Sequence, residues 1–379
     1  MSLKKKIVLI GTTGSSFYGF RADLIKKLVS DQHEVYAFTS EYTESCLIKI
    51  QALGAKPICY ELSRGGLNPF ADIASMFELT REIKKIQPDI VFSYFAKPVI
   101  YGSIAAKRAK VPLIIGMLEG LGYTFTDQPE GQSIKTKLIR NIQVILYKFA
   151  FPCLDKMIFL NPDDQNDLMQ KYNLRAPQVH ILGGIGLNLK EYPYVEVPIK
   201  SVKFLFIGRL LKEKGIFELI EAMRLVKDKH PQAQFTILGE IDHQNMGALK
   251  QSELDQLIEE DLFEYPGFVT NVKDWIAHSS VFVLPSYREG VPRSTQEAMA
   301  IGRPVITTDV PGCRETVIDG VNGFLVPRWD AGALANKMCY FIEHPNQINV
   351  MGLESVKIAQ EKFDAEKSNL RLIELMGLI

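Results

Sequence analysis

The chain contains two stretches in which an apolar strand runs into a glycine turn and then a helix, and this repeat constrains the fold most. The first is KKIVLIGTTGSSF (5–17) and the second is VKFLFIGRLLKEKG (202–215). After each one, short apolar runs alternate with helical stretches. That alternation is typical of parallel sheets with crossover helices. The sequence therefore predicts an α/β chain made of two similar halves.

The boundary between the halves is marked by glycines. Gly183, Gly184 and Gly186 interrupt the strand–helix alternation, and the polar stretch LNLKEYPYVEVP (187–198) follows. We predict a first Rossmann-like domain at 1–185 and a second at 186–355. Ligands of such sheets bind outside the carboxyl ends of the strands, so we expect a cleft between two facing domains.

Composition narrows the classes of function. The 379 residues carry a formal net charge of zero, which gives no argument for nucleic-acid binding. Five cysteines are scattered without a C-x-x-C pair, a pattern that fits free thiols in a reducing cytosol. No signal peptide and no apolar run of the ~18 residues needed to span a bilayer is visible. We therefore expect a cytoplasmic protein, with peripheral attachment to the inner face of the cytoplasmic membrane left open.

Metal and dinucleotide sites are not predicted. The sequence has no Asp-x-Asp, and its histidines and cysteines show no ligand spacing. Gly11 and Gly14 permit close approach of the backbone to a ligand, but they serve equally well in a tight turn. No acidic residue ends the second strand, EVYAFTS, which argues against a dinucleotide. We expect no metal and no bound cofactor.

The stretch from Pro285 to Thr307 combines two carboxylates with a helix start. Glu289 lies on the loop before the helix and Glu297 within it, with seven residues between them. The backbone N–H groups of Gly290 and Val291 precede the helix entry at Pro292, where free N–H groups and the helix dipole favour anions. Carboxylates for sugar hydroxyls beside N–H groups for phosphate suit a sugar nucleotide.

At these residues a family resemblance emerges. The run EGVPRSTQEAMAIGRPVITTDVPGCRETVIDGVNGFLVP (289–327) resembles the donor-binding region of retaining glycosyltransferases of family 4. Their hallmark is the same pair of glutamates, followed by Gly-x-Pro-Val and then Glu-x-Val-x-x-Gly-x-x-Gly. The resemblance implies a GT-B fold, with an acceptor domain at 1–185 and a nucleotide-sugar domain at 186–355. It also implies that a last helix, 356–379, packs back on the first domain.

The same resemblance assigns roles within the second half. G-R-L-x-x-x-K-G, with Gly208, Arg209 and Lys214, is the motif that holds the diphosphate and stabilises its charge as it departs. Exposed basic loop residues are the ordinary alternative. By resemblance, backbone groups of Gly267, Phe268 and Val269 contact the base.

The two glutamates receive different roles by resemblance. Glu289, otherwise an exposed loop carboxylate, contacts the donor sugar. Gly290, Val291 and Pro292 lie beside it at the helix entry. Glu297 binds the ribose hydroxyls. Alternatively, Glu297 completes a capping box that begins at Ser294. We also predict that Gly14 is one of the residues that bind the sugar-nucleotide donor.

The predicted acceptor side lies after the fifth strand of the first half. The strand PLIIGML runs into Glu119, where many relatives carry a histidine or another polar residue, and GLGYTF follows. This segment resembles a subgroup that glycosylates lipid-linked intermediates of cell-surface polysaccharides. Glu119 is therefore a candidate catalytic residue at the acceptor, or else a residue of a tight glycine turn.

The segment 133–149 predicts an amphipathic helix. At about 100° per residue, one side collects seven apolar residues: Ile134, Leu138, Ile139, Ile142, Ile145, Leu146 and Phe149. Lys137, Arg140 and Lys148 fall opposite, with Lys135 as an exception. The commoner explanation is a helix whose apolar side faces the core. The functional alternative is a helix at an anionic membrane surface that receives a lipid acceptor.

Together these observations predict a retaining, metal-independent hexosyl- or N-acetylhexosaminyltransferase. It would use a nucleotide sugar, UDP-linked in our prediction, and a glycan or polyprenyl-diphosphate-linked acceptor. The expected setting is bacterial surface polysaccharide biosynthesis, such as capsule or lipopolysaccharide. The alternatives are a sugar-nucleotide epimerase of the same architecture and an inactive nucleotide-sugar-binding regulator.

Overall fold

The structure, a computed structural model, describes residues 4–41, 43–62, 69–198, 201–242, 245 and 247–379. Its contacts divide the chain into two compact units. The first contains Met1–Thr124, Ser133–Ile185 and Ala365–Ile379, and the second contains Phe125–Gln132 and Gly186–Asp364.

Two ranges differ from the predicted boundaries. Residues 356–364 belong to the second unit because Leu187 N–H donates to Phe363 O at 2.8 Å and Leu187 forms a bridge with Asp364. Residues 125–132 also belong to the second unit. Glu130 forms an ion pair with Lys212 at 2.5 Å, and Arg328 pairs with Asp127 at 3.1 Å.

Among the described residues, the first unit forms a seven-stranded sheet in the order β3-β2-β1-β4-β5-β6-β7, with all neighbours parallel. The strands are β1 Lys6–Ile10, β2 Glu34–Thr39, β3 Lys56–Cys59, β4 Ile90–Tyr94, β5 Leu113–Leu118, β6 Lys156–Phe159 and β7 Gln178–Ile181. Four successive residues of β1, Ile7 to Ile10, are fully buried. A continuous apolar run of this kind is expected where helices cover both faces of a parallel sheet.

Six helices in the described part of the first unit connect these strands. They are α1 Ala22–Ser30, α2 Glu44–Ala52, α3 Pro69–Ile86, α4 Ser103–Arg108, α5 Ile134–Ala150 and α6 Pro162–Asn166. Two π-helical turns, Ser16–Phe20 and Pro98–Gly102, precede α1 and α4 near the carboxyl edge of the sheet. Such turns are rare and are frequently found at functional sites.

The second unit forms a six-stranded sheet in its described residues, in the order β10-β9-β8-β11-β12-β13. The strands are β8 Lys203–Ile207, β9 Gln234–Leu238, β10 Glu264–Gly267, β11 Val281–Leu284, β12 Val305–Thr308 and β13 Gly323–Val326. The helices are α7 Ile216–Lys229, α8 Gln251–Glu259, α9 Val272–His278, α10 Arg293–Ile301, α11 Ala331–Glu343 and α12 Asn346–Lys362. The last helix, α13 Ala365–Leu375, belongs to the first unit and contacts α1.

Strand order locates the crevice of each unit. In the first sheet the order reverses between β1 and β4, and in the second between β8 and β11. Ligands of open parallel sheets bind outside the carboxyl ends at such a switch point. Gly208 follows β8, and the loop that carries Glu289 follows β11. The predicted fold class, two parallel-sheet α/β domains, is confirmed.

Candidate active site

Glu289 is held by two partners at the carboxyl edge of the second sheet. Its Oε1 forms an ion pair with Lys214 Nζ and accepts a hydrogen bond from Ser286 Oγ at 2.7 Å. The side chain is only 12% exposed, so the alternative explanation, an exposed loop carboxylate, is wrong. Among the described residues, Oε2 of Glu289 has no hydrogen-bond partner. One carboxylate oxygen is therefore available to a hydroxyl.

Two glycines let the backbone segments around Glu289 approach closely. Gly215 has φ +74°, and a Cβ there would lie 2.0 Å from Pro285 O. This contact brings the turn of Lys214 against the end of β11. At Gly312, with φ +80°, a Cβ would lie 2.3 Å from Glu289 O. Glu289 N–H in turn donates to Pro311 O at 3.0 Å. Both positions require glycine for steric reasons.

In the part of the chain that the structure describes, Arg209 and Lys214 have different ion-pair partners. Arg209 Nη1 pairs with Asp242 Oδ2 at 2.7 Å, and its side chain is more than half exposed. The structure thus joins Lys214 to Glu289 and leaves Arg209 on the rim of the same edge. An exposed pair of this kind contributes little stability, so a ligand anion could displace Asp242 at small cost.

Three neighbouring strands of the second sheet are followed by, or end in, glycine. Gly208 N–H donates to Leu238 O at 3.0 Å, and Gly239 N–H donates to Gly267 O at 2.9 Å. A Cβ at Gly239 would lie 1.9 Å from Gly208 O. The resulting edge has no side chains at Gly208, Gly239 and Gly267, which permits close approach of a ligand. Phe268 is exposed and Val269 half-buried. The role of residues 267–269 at a base stays a prediction.

Glu297 accepts two hydrogen bonds at one oxygen. Arg293 Nε and Tyr192 Oη each donate to its Oε1 at 3.0 Å. The capping-box alternative is wrong because α10 begins after Pro292, which places Ser294 inside the helix. Burial, and then the charge of Glu297, raises the pKa of Tyr192 to about 12. Sequence reasoning missed Tyr192, because no motif marks it in the linker after Gly186.

The helix entry itself is packed rather than open. Pro292 is the N-cap residue of α10, and Gln296 Nε2 donates to Val291 O at 3.2 Å. Val291 is buried, and Gly290 is buried beside Gly312. Gly290, Val291 and Pro292 therefore shape the loop between the two glutamates. Their contact with a phosphate stays a prediction.

Gly14 of the first unit is accounted for by packing. Its N–H donates to Glu41 Oε2 at 2.8 Å, and a Cβ there would lie 1.8 Å from Cys46 Sγ. The N–H of Gly14 is thus already hydrogen-bonded, and the close packing of α2 leaves room only for glycine at this position. This arrangement favours the tight-turn explanation for Gly14. The expectation that it binds the donor has no support from its contacts.

Glu119 lies just beyond β5 in a buried ionic network. It pairs with Arg21, whose side chain is 1% exposed, while that of Glu119 is 13% exposed. The Arg21 guanidinium lies 5.1 Å from the ring centroid of Tyr94, and Tyr94 Oη lies 3.1 Å from Ser16 Oγ. Burial raises the pKa of Glu119, and the charge of Arg21 opposes this effect. Arg21 was missed because a single basic residue at a helix start carries no pattern.

The backbone around this network is unusual. Phe95, next to Tyr94, has φ +72°, and Gly120 and Gly122 have φ +130° and +77°. A non-glycine residue in the left-handed region costs of order 1–3 kcal/mol and is often found at functional sites. Within the residues that the structure describes, no group of three or more potential metal ligands occurs. No described helix is long and apolar enough to cross a membrane.

Comparisons with known proteins agree with this geometry. The family model of glycosyl transferases group 1 matches residues 201–344, and that of glycosyl transferase 4-like proteins matches 6–161. A Campylobacter jejuni relative is N,N'-diacetylbacillosaminyl-diphospho-undecaprenol alpha-1,3-N-acetylgalactosaminyltransferase. It is 30% identical, with 89% of each chain covered. An Escherichia coli relative is UDP-Gal:alpha-D-GlcNAc-diphosphoundecaprenol alpha-1,3-galactosyltransferase, 26% identical over 70% of each chain.

Solved structures share the fold. Anabaena HepE in complex with UDP and glucose superposes with a TM-score of 0.77 at 19% identity, covering 99% of this chain and 100% of that one. The apo form of the lipopolysaccharide outer core galactosyltransferase WaaB gives 0.69 at 17% identity, with the same coverage. The sequence identity to the Campylobacter relative shows the family, and the likeness to the solved structures shows the fold. The chain therefore belongs to the family 4 glycosyltransferases, with a GT-B fold.

Proposed function

We propose that this glycosyltransferase moves a hexose or N-acetylhexosamine from a UDP-sugar to a hydroxyl of a polyprenyl-diphosphate-linked glycan. The Lys214–Glu289 pair carries the proposal, because it places a cation and a carboxylate with one free oxygen at the switch point of the second sheet. The two named relatives act on undecaprenyl-diphosphate-linked sugars, which supports the acceptor class. UDP in the HepE complex and UDP-Gal in the name of the E. coli relative support the donor.

In the proposed reaction the configuration at the anomeric carbon is retained. The bond from the anomeric carbon to the diphosphate oxygen breaks as the bond to the acceptor oxygen forms on the same face. The acceptor proton passes to the departing diphosphate, so no protein nucleophile is required. Lys214 and Arg209 would stabilise the charge that develops on the diphosphate. Glu289 would accept a hydrogen bond from a donor-sugar hydroxyl through its free oxygen.

Glu119 would act on the acceptor side. Its pairing with Arg21 holds the carboxylate at the carboxyl edge of the first sheet, one strand from the switch point between β1 and β4. Glu297 would accept hydrogen bonds from the ribose, with Arg293 and Tyr192 orienting it. The proposed reaction needs no metal and no cofactor beyond the donor. It would take place in the cytoplasm, at the inner face of the membrane where the lipid-linked acceptor lies.

A donor screen tests the proposal. The melting temperature is measured with UDP-, GDP- and ADP-sugars, since a ligand that binds the folded state raises it. The best donor is then incubated with a short-chain polyprenyl-diphosphate sugar, and products are identified by mass spectrometry. We expect stabilisation by a UDP-sugar and a product heavier by one sugar. An epimer released without acceptor, or binding without turnover on any acceptor, would reject transfer.

A further inference from the structure

Helix α5 turns its apolar stripe away from the core. Four side chains at spacings of four, seven and four residues are exposed by 86%, 59%, 52% and 68%: Ile134, Leu138, Ile145 and Phe149. The opposite side of the helix carries its buried residues, Val144, Tyr147 and Ala150. The commoner expectation for this helix, an apolar side that faces the core, is therefore wrong for these four residues. A stripe of this size in water is unfavourable without a partner.

Helix α3 presents a second stripe, which the sequence pattern did not indicate. Phe70, Ile73 and Phe77 are exposed by 86%, 47% and 52%. Their spacing of three and four residues puts them on one face. Met76, Leu79 and Ile83 face the core instead. Both stripes thus consist of large apolar residues on the outer sides of helices whose inner sides already supply the core.

The two stripes lie on neighbouring helices, because both α3 and α5 pack against the helical segment 98–108. At its end the Arg108 guanidinium lies 5.0 Å from the Phe77 ring centroid, which connects it to α3. Helix α4, which carries Lys107 as an exposed residue, also contacts α5 and the turn Phe151–Cys153 that follows it. Cys153 Sγ donates to Phe149 O at 3.4 Å, which ties that turn to the last residues of α5. We call the exposed residues of α3 and α5 together with Lys107 and Arg108 the apolar–basic surface.

The charge of this surface is positive. Helix α5 contains four basic residues and no acidic residue. Lys135 lies on one side of its apolar stripe, and Lys137 and Lys148 lie on the other; all three are exposed. The acidic residues of α3 are buried or half-buried, with Asp72 paired to Lys97 and Glu82 to Lys85. Apolar residues bordered by long basic side chains suit a bilayer interface, where the stems lie along the apolar layer and the charges reach the lipid phosphates.

We infer that the apolar–basic surface docks into the interface of an anionic bilayer, with both α3 and α5 inserting their apolar side chains. The inference deepens the proposed function, on which it rests for the lipid-linked acceptor. Two inserted helices would bury more apolar area than α5 alone, and the basic residues on α4 and α5 would add attraction to anionic headgroups.

Vesicle binding by the full chain tests this inference. Co-sedimentation is measured with phosphatidylcholine vesicles, with and without phosphatidylglycerol. The variants are Ile134→Gln/Phe149→Gln on α5 and Phe70→Gln/Phe77→Gln on α3. The matched control is Val350→Gln/Leu353→Gln on α12, where the residues are comparably exposed at 55% and 47%. We expect each surface variant to bind about tenfold or more weakly, with control and melting temperatures unchanged.

Insertion is measured directly with tryptophan. Leu138→Trp should be quenched by brominated lipids, whereas Val350→Trp should not. Unchanged binding in either surface variant, or equal quenching of both tryptophans, would overturn the inference. The inference is also overturned if the wild type does not bind vesicles and the substitutions instead dissociate a dimer. Transfer to a water-soluble short-chain acceptor should survive in both surface variants. Loss of all transfer with intact vesicle binding would reject the proposed function and leave the docking surface standing.

Discussion

Lys214 Nζ and Glu289 Oε1 form an ion pair across 75 positions of the chain, and Ser286 donates to the same oxygen. The contact depends on Gly215, since any side chain there would collide with Pro285. The pair occupies the carboxyl edge of β11, where a donor diphosphate and its sugar would meet. Binding of a donor would give Lys214 a second anionic partner without removing Glu289 from its position.

Lys214→Ala should lower turnover by about 10² or more, because its charge is needed most as negative charge develops on the leaving diphosphate. Arg209→Ala should have a similar effect once the donor displaces Asp242. The control is Lys212→Ala, which removes a cation on the same turn that pairs with Glu130 instead. Steady-state kinetics with a saturating UDP-sugar provide the comparison. Near-normal turnover in Lys214→Ala or Arg209→Ala would remove that residue from the mechanism.

The Arg21–Glu119 pair predicts strong coupling between the two side chains. Removing one partner leaves a buried charge without compensation, so Arg21→Met and Glu119→Leu should each cost about 3–5 kcal/mol of unfolding free energy. The double variant should regain most of that loss, because no charge then remains buried. Urea unfolding measures all four free energies. Simple additivity would show that the pair is not energetically linked.

The same double variant separates stability from chemistry. If Glu119 acts on the acceptor, transfer should stay lost in the double variant even though the fold is restored. Donor binding, measured by the rise in melting temperature with UDP, should be unchanged. Recovery of transfer together with stability would make Glu119 a structural residue of the first unit.

The raised pKa of Glu119 has a consequence for stability against pH. Between its ordinary value of 4.5 and the higher folded-state pKa, the folded chain binds more protons at this site than the unfolded chain. Stability of the wild type therefore falls relative to Glu119→Gln as pH rises through that window, and the difference is constant above it. Melting temperatures of both proteins across this range measure the effect. If the wild type instead gained stability relative to Glu119→Gln as pH rises, the folded-state pKa of Glu119 would be lowered.

The strands and the glutamate pair were predictable because their signals are local. Buried strands such as β1 and β11 are continuous apolar runs, and Glu289 and Glu297 lie in one motif. The partners of those glutamates were not predictable. Tyr192 and Arg21 meet carboxylates that are 105 and 98 positions away. Such pairs arise only when the chain folds, and an isolated tyrosine or arginine carries no periodicity that would indicate them.

The orientation of α5 shows a second limit of prediction from sequence. Its apolar periodicity predicted the helix, but periodicity does not tell which side faces the core. Small and polar-tipped residues, Ala150 and Tyr147, pack inward, and Tyr147 Oη accepts a hydrogen bond from Gln143 at 2.9 Å. The larger apolar residues are left outside. Hydrophobicity alone assigns the opposite orientation, because it ignores the hydrogen bond that makes Tyr147 acceptable in the core.

Chelation tests the prediction that catalysis needs no metal. Activity should survive EDTA, since Lys214 and Arg209 would supply the positive charge that a metal supplies elsewhere. The assay compares initial rates with UDP-sugar before and after chelation. Complete loss of activity that manganese or magnesium restores would overturn the prediction.

Glu297→Gln tests the ribose role. The amide keeps an oxygen that can accept from Arg293 and Tyr192, so the melting temperature without ligand should be nearly unchanged. An ionised acceptor makes a hydrogen bond worth about 1.5–3 kcal/mol, more than a neutral one. Affinity for UDP should therefore fall roughly tenfold or more, which corresponds to about 1.4 kcal/mol. Isothermal titration measures the affinity, and thermal denaturation measures the stability.

Tyr192→Phe is the control for Glu297→Gln. It removes one hydrogen bond to Oε1 of Glu297 but leaves the charge, so the affinity for UDP should change less. Equal losses in both variants would assign the effect to the orientation of Glu297 rather than to its charge. A lower melting temperature with unchanged affinity in Glu297→Gln would make Glu297 a structural partner of Arg293 alone.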